Sequence, residues 1–281
     1  MTDTDVNADQ REFWNGGPVK GWVAQDAELE SVHGALTPRL LAHADPKPDA
    51  DVIDVGCGSG AVSQAFAEAA PSGSVTGIDI SVPMLNLARV NHGDSVTFIE
   101  ADAQTYDFAA ESADLIVSRF GVMFFSDPVA AFSNLLGALR PGGRLVMGCW
   151  APMPKNPWFD GPRRVVEAHH GPQPRPEPGA PGPMGFSNPD YVLSILNDAG
   201  FVNARVETED LTLTHPQGAS GAAQLMSAVG PISKIVRETG GGSTELLHLT
   251  DSLTEIFKAF EDEDGFALPA QIHFYLAEKA A

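Results

Sequence analysis

The stretch Val52-Ile53-Asp54-Val55-Gly56-Cys57-Gly58-Ser59-Gly60 passes from an apolar run into a cluster of glycines, and a helix-like pattern follows it. A strand that turns through glycines into a helix leaves the first helical amides free. Glycine also lets the backbone turn tightly and lie against a ligand. The stretch reads as a nucleotide site. It also decides the fold class, because strand followed by helix is the repeating unit of a parallel α/β sheet.

Working outward, residues 51–55, 74–80, 96–100, 113–118 and 143–150 read as strands, and residues 60–70, 82–91 and 128–139 read as helices between them. Runs such as Val52-Ile53-Asp54-Val55 and Asp114-Leu115-Ile116-Val117 are apolar on both faces, as expected of central strands covered on both sides. The expected connections are right-handed.

Two interruptions follow the fifth strand. Residues 151–189 are rich in proline and glycine, and residues 212–270 are mainly helical but broken at Gly240-Gly241-Gly242. Between them Asn188-Pro189-Asp190 starts a helix over 191–199 that Gly200 ends, and a strand is predicted over 204–211. The expected division is a helical cap over 1–50, a core over 51–150, a Pro/Gly-rich lid insert over 151–189, a core helix and strand over 190–211, a helical lid insert over 212–270, and a final strand within 271–281. Inserts in such sheets often cover the site.

With 281 residues the chain can bury a full-sized core. Seventeen Lys and Arg against 37 Asp and Glu give a net charge of -20, an unfavourable average field for a polyanion, so nucleic acid is a poor substrate candidate. Residues 1–10 are polar and acidic, unlike a secretory signal, and no apolar run reaches membrane-spanning length. A cytoplasmic protein without membrane insertion is the expectation. Cys57 and Cys149 fall in predicted core segments without metal or disulfide spacing. Oligomeric state is not legible, and a homo-oligomer is compatible with an apolar helical insert.

Taken alone the glycines have two readings. Gly56-x-Gly58-x-x-Ala61 also satisfies the dinucleotide fingerprint, and Asp79 stands where that fold places a ribose-binding acid. Several further segments, in order, resemble class I S-adenosylmethionine-dependent methyltransferases. Asp54-Val-Gly-Cys-Gly-Ser-Gly60 resembles their first motif, Gly77-Ile-Asp-Ile-Ser81 the second, and Glu100-Ala-Asp-Ala103 the adenine-contacting segment. Residues 114–125 resemble the fourth-strand segment, and Leu139-Arg-Pro-Gly-Gly-Arg-Leu145 the turn before the fifth strand. The resemblance covers roughly residues 50 to 150 and implies a Rossmann-like, seven-stranded, mostly parallel sheet with helices on both faces and helical and Pro-rich lid insertions. A nicotinamide-dependent oxidoreductase would not account for residues 100–103 and 139–145. A cofactor-binding protein without turnover is the other alternative.

The resemblance implies S-adenosylmethionine as cofactor, held by Asp54, Gly56, Cys57 and Gly58 at the turn. Asp79 is expected on the ribose hydroxyls, and Asp102 and Ala103 at the adenine edge. Ile80 and Met84 are expected on the adenine faces, or in the core. Tryptophans near the amino terminus occur in related small-molecule methyltransferases, which makes Trp14 and Trp22 candidates for shielding the sulfonium, with plain packing the alternative. Arg119 either reaches the cofactor carboxylate or pairs with an acidic neighbour, and Phe120 at the same strand end is also expected at the cofactor.

Transfer from a sulfonium is an in-line displacement whose leaving group needs no protonation, so positioning and desolvation supply much of the rate. No catalytic residue is assigned. An acceptor that must lose a proton would need a base, and His33, His169, His170 and His215 are available without motif support. The acceptor is expected beyond the ends of the first and fourth strands, near Phe120, Met123, Phe124, Trp150 and Trp158, so a ring or hydrocarbon body is implied. Ser118-Arg119-Phe120-Gly121 departs from the Asn/Asp-Pro-Pro-Tyr/Phe of amino-methylating enzymes, and no metal-ligand set stands out. Residues 150–158 resemble quinone- and natural-product-like bacterial methyltransferases. The expected partner is a small-molecule methyl acceptor with an oxygen, nitrogen, sulfur or carbon nucleophile.

Overall fold

The computed structural model describes residues 6–281. Residues 1–5, half of the polar stretch read at the amino terminus, lie outside the described residues. Four helices come first, α1 (Ala8–Asn15), α2 (Val19–Ala24), α3 (Asp26–His33) and α4 (Leu36–Ala44). Then β1 (Val52–Val55), α5 (Ala61–Ala69), β2 (Val75–Asp79), α6 (Val82–His92) and β3 (Thr97–Glu100) alternate. The first half closes with β4 (Ala113–Arg119), α7 (Pro128–Ala138) and β5 (Leu139–Trp150). The second half carries α8 (Pro157–His170), α9 (Pro189–Asp198), β6 (Val202–Leu213), α10 (Gly218–Val229), α11 (Pro231–Thr239) and α12 (Ser243–Phe257). A short hairpin, β7 (Glu261–Asp262) and β8 (Gly265–Phe266), precedes β9 (Leu268–Glu278).

Seven strands form one sheet in the order β3-β2-β1-β4-β5-β9-β6. The first five are parallel, and β9 runs antiparallel between β5 and β6. Every residue of β1 is buried, as is most of β4, whereas β3 and β6 at the edges are largely open. This matches the apolar-on-both-faces character of the central segments. The starts of three helices are fixed locally. Ser81, Asp127 and Asn188 accept from backbone amides at the starts of α6, α7 and α9, each with proline in the first turn. The chain leaves β1 toward β2 on one side while β4 pairs on the other, so the strand order reverses between β1 and β4. In open sheets that reversal is where ligands bind.

The sequence reading needs correction at four places. Residues 151–189, read as a Pro/Gly-rich insert, contain the 14-residue helix α8. Gly161 and Pro162 obscure its pattern, but Trp158, Gly161, Pro162, Val165 and Val166 form one buried stripe that packs toward α11 and α12. The helical stretch after β6 breaks at Gly230-Pro231 as well as at the glycines near 240. Strand β5 begins at Leu139 instead of Gly143, with a register shift opposite Ala113 and Leu115, because Leu139 already pairs with Ala113 before the Arg140–Gly143 turn. Strands β6 and β9 are both longer than expected, since each satisfies the other's backbone over Leu213↔Leu268 to Val202↔Glu278.

Candidate active site

The loops that leave β1 and β4 touch. Gly56 has φ +68°, and a Cβ on it would lie 2.5 Å from the Gly121 Cα, so both positions need glycine to bring the two strand ends this close. The junction opens into a cavity of about 1230 Å³.

Asp54, Cys57, Gly58, Asp79, Ile80, Met84, Asp102 and Ala103 all line this cavity. Asp54 Oδ2 accepts from Ser63 Oγ at 2.6 Å, while Oδ1 is buried with no partner among the described residues. Burial pushes its carboxyl up to about 6, against the Ser63 bond and the Arg119 charge. Burial also raises Asp79, although Oδ1 accepts from the Ser81 amide and Oδ2 from the Gly58 amide, both at 2.8 Å. Two acids held above their ordinary range, one with a spare buried oxygen, suit a ligand that brings positive charge and hydroxyl donors. Cys57 is buried and its thiol is raised chiefly by burial, so it acts as a small apolar wall.

Asp102 lies two residues beyond the end of β3 instead of closing it. Its Oδ1 accepts from the Gln104 amide at 2.9 Å and its Oδ2 from Asn7 Nδ2 at 2.6 Å. Asn7 Oδ1 in turn accepts from the Ser126 amide at 3.0 Å. At the other end of α1, Asn15 Oδ1 accepts from the Val82 amide at 2.9 Å, Asn15 Nδ2 donates to the Ile80 carbonyl at 3.0 Å, and Ser81 Oγ donates to the Trp14 carbonyl at 2.7 Å. The first helix is therefore tied down at the ends of both β2 and β3. Trp14 meets Trp22 edge-on at 5.3 Å and Phe124 at 5.5 Å, so the two tryptophans and the fourth-strand segment form one cluster on the cavity wall.

The other end of the cavity is aromatic. Phe120 stacks on Trp150 with centroids 4.4 Å apart and planes 5° apart, and Phe159 meets Trp150 edge-on at 5.0 Å. Phe120 holds φ +69°, a left-handed conformation that a bulky residue rarely adopts. Met123, Trp150 and Trp158 are only 2%, 2% and 1% exposed, so they back the wall while Phe120 and Phe124 stay partly open. Trp158 stacks toward Phe257 of α12 at 6.4 Å. The proline-rich segment reaches this wall, where the Gly182 amide donates to the Met123 carbonyl at 2.9 Å.

Of the four histidines named from sequence only His33 lines the cavity. His169 lies exposed against His248, His170 faces Glu245 at 3.1 Å, and the buried His215 faces Glu28 at 3.8 Å. Arg119 makes the acidic pair. Its Nη1 donates to Glu30 Oε1 at 2.9 Å and to Thr37 Oγ1 at 2.8 Å. Sequence reasoning missed Asn7, Asn15, Glu30 and Phe159. Asn15 directly follows Trp14, which the sequence did single out, but nothing local marked the others. Among the described residues no group of three His, Cys, Asp or Glu is placed to hold a metal ion.

Residues 53–147 match the family model described as a methyltransferase domain. Nocamycin O-methyltransferase of Saccharothrix syringae is 34% identical over 192 residues, which span 63% of this chain and 68% of that protein. The chain belongs to the class I S-adenosylmethionine-dependent methyltransferases. Demethylmenaquinone methyltransferase of Thermus thermophilus is 36% identical over 107 residues, 37% of this methyltransferase and 49% of that one, so the match spans about half of that relative. A structure of Haemonchus contortus phosphoethanolamine N-methyltransferase 2 in complex with S-adenosyl-L-methionine shares the fold. Its TM-score is 0.53 at 17% identity, covering 91% of this chain and 57% of that one. In this methyltransferase the strand-end acids and the glycine turn fit the family's cofactor, because the buried unpartnered Asp54 Oδ1 calls for a donor or cation. Among the described residues no helix is long and apolar enough to cross a membrane.

Proposed function

We propose that this methyltransferase acts in the cytoplasm on a small-molecule acceptor whose flat ring or hydrocarbon body lies against the Phe120–Trp150 stack. The aromatic wall beside the glycine turn is the observation that carries the reading. Such a wall takes up apolar surface and favours offset or edge contacts with a ring, worth about 1 kcal/mol beyond area burial. His33 and the Arg119–Glu30 pair are among the polar groups that line the same cavity. The net charge of -20 argues against a nucleic-acid substrate.

On the cofactor side, Asp79 serves the ribose hydroxyls, Asp54 Oδ1 the amino-acid ammonium, and Asp102 with Ala103 the adenine edge. Trp14 and Trp22 shield the sulfonium end. S-adenosylmethionine supplies, when bound, an electrophilic methyl group on a sulfonium. The chain's own contribution is to orient the acceptor and exclude water, for which the proline-rich insert and the helices α8, α10 and α11 serve as a lid over the chamber. Relatives named for nocamycin and demethylmenaquinone agree with a small acceptor.

Calorimetric titration with S-adenosylmethionine, S-adenosylhomocysteine and NAD tests the cofactor side, with binding of the first two and not the third expected. A panel of aromatic and aliphatic acceptors then tests the chamber. Methylation confined to aliphatic amines would overturn the acceptor reading.

A further inference from the structure

We propose that the His33 imidazole meets the acceptor's nucleophilic hydroxyl, phenolic or enolic, and takes its proton as the oxygen is methylated. This rests on the aromatic chamber reading above and deepens it by naming the nucleophile.

His33 ends α3 and lines the cavity among the rings that form its wall. Its ring centroid lies 5.6 Å from Phe120, 5.7 Å from Trp150 and 6.0 Å from Trp158, all edge-on. Its Nε2 is buried without a hydrogen-bond partner among the described residues. A buried polar atom left unpaired forfeits its hydration without compensation, so a site that keeps one calls for a ligand that satisfies it. The imidazole is also held in place. Arg119 Nη1 donates to Glu30 Oε1 one turn before it, to Thr37 Oγ1 one turn after it, and at 3.5 Å to the carbonyl of His33 itself. These bonds pin the backbone around His33 to the end of β4, the strand end that also carries Phe120.

The environment selects the acceptor's chemistry. Burial and the adjacent Arg119 charge lower the imidazole to about 3, so it stands neutral with one lone pair to offer. So weakly basic an imidazole does not take the proton of an ammonium acceptor, and a carboxylate has no proton to give. A neutral hydroxyl on an aromatic or enolic carbon matches both the lone pair and the rings. As its O–H bond breaks, the proton passes to the imidazole. The new O–CH₃ bond forms while the C–S bond breaks with its electron pair remaining on sulfur. Positive charge moves from sulfur to the ring, so the net charge of the chamber is unchanged. A weak base suffices because an oxygen gaining a methyl group becomes strongly acidic, and the proton leaves to water with the product.

The test is calorimetry on protein saturated with S-adenosylhomocysteine, using 2-naphthol and its methyl ether, 2-methoxynaphthalene, as probes. His33→Phe keeps a ring without a lone pair, and His33→Leu replaces it if phenylalanine does not fold. His33→Gln keeps an acceptor atom. The expected result is about a tenfold loss of naphthol affinity in His33→Phe, with ether affinity unchanged and part of the loss recovered in His33→Gln. An equal change for both probes, or none for either, overturns the role of His33 while the chamber stands. Failure of both probes to bind the wild-type protein overturns the chamber reading along with it.

Discussion

The two ends of the cavity are built from different materials. The cofactor end uses strand termini, backbone amides and short acids, namely Gly56, Gly58, Asp79 and Asp102, each within a few residues of a strand end. The acceptor end uses rings from distant segments. His33 comes from α3, Phe120 from the end of β4, Trp150 from β5 and Phe159 from α8, and the proline-rich loop is hydrogen-bonded to Met123. A site made of backbone geometry and fixed acids specifies one ligand. A site made of rings sets only shape and apolarity, and its specificity depends on the few polar atoms among them.

The sharpest way to break this comparison is at Asp79. Asp79→Ala removes the acceptor of the Gly58 and Ser81 amides as well as the proposed ribose contact, so S-adenosylhomocysteine affinity is expected to fall by about a hundredfold or more. Binding of 2-methoxynaphthalene should fall no more than threefold. Calorimetry with each ligand separately checks this, and equal losses would mean that the two ends are not separate binding units.

Asp54 gives an intermediate effect with a pH signature. Its folded carboxyl sits near 6, above the ordinary value of 3.8, so its stability contribution is fully present below about pH 4 and is lost as pH rises through 6. A rise of roughly two pH units corresponds to about 3 kcal/mol lost by the ligand-free protein at neutral pH. Asp54→Asn should therefore raise the ligand-free melting temperature at pH 7.5 by several degrees, with little effect at pH 4.5. It should also weaken S-adenosylmethionine binding by about tenfold. The wild-type-minus-variant difference is the quantity to follow, because His33, lowered by burial, acts with the opposite sign as pH falls below 6.5.

These contrasts also explain what the sequence made legible. The five parallel strands could be read because each contains a short stretch of β-favouring residues next to a turn signal, and the glycines at 56–60 have one geometric use in that setting. The order of the sheet's far edge, with β9 between β5 and β6, has no local signal, since it is set by pairing across 55 residues (Leu213↔Leu268) to 134 residues (Arg144↔Glu278). Helix α8 was hidden because its buried stripe includes a glycine and a proline, residues that local propensity counts against a helix while packing on α12 outweighs them. At the candidate site the acids were legible from their place at strand ends. Asn7 and Glu30 were not, because their partners Asp102 and Arg119 lie 95 and 89 residues away and nothing in their own neighbourhood marks them.

Phe120 offers the smallest change in stability and the cleanest separation of the two ends. Its ring stacks on Trp150, but its backbone holds φ +69°, which costs a non-glycine residue on the order of 1–2 kcal/mol. Phe120→Gly releases that strain while losing a partly exposed ring whose packing contributes about 1–3 kcal/mol. The two terms nearly offset, so the melting temperature should move by only a few degrees. Affinity for 2-methoxynaphthalene should fall by about tenfold, with S-adenosylhomocysteine affinity unchanged within twofold. Thermal melts and paired titrations check both halves of the expectation. If cofactor affinity fell in step with the aromatic probe, the Phe120 ring would be a shared wall, and the acceptor would lie deeper in the cavity, against Trp14 and Phe124.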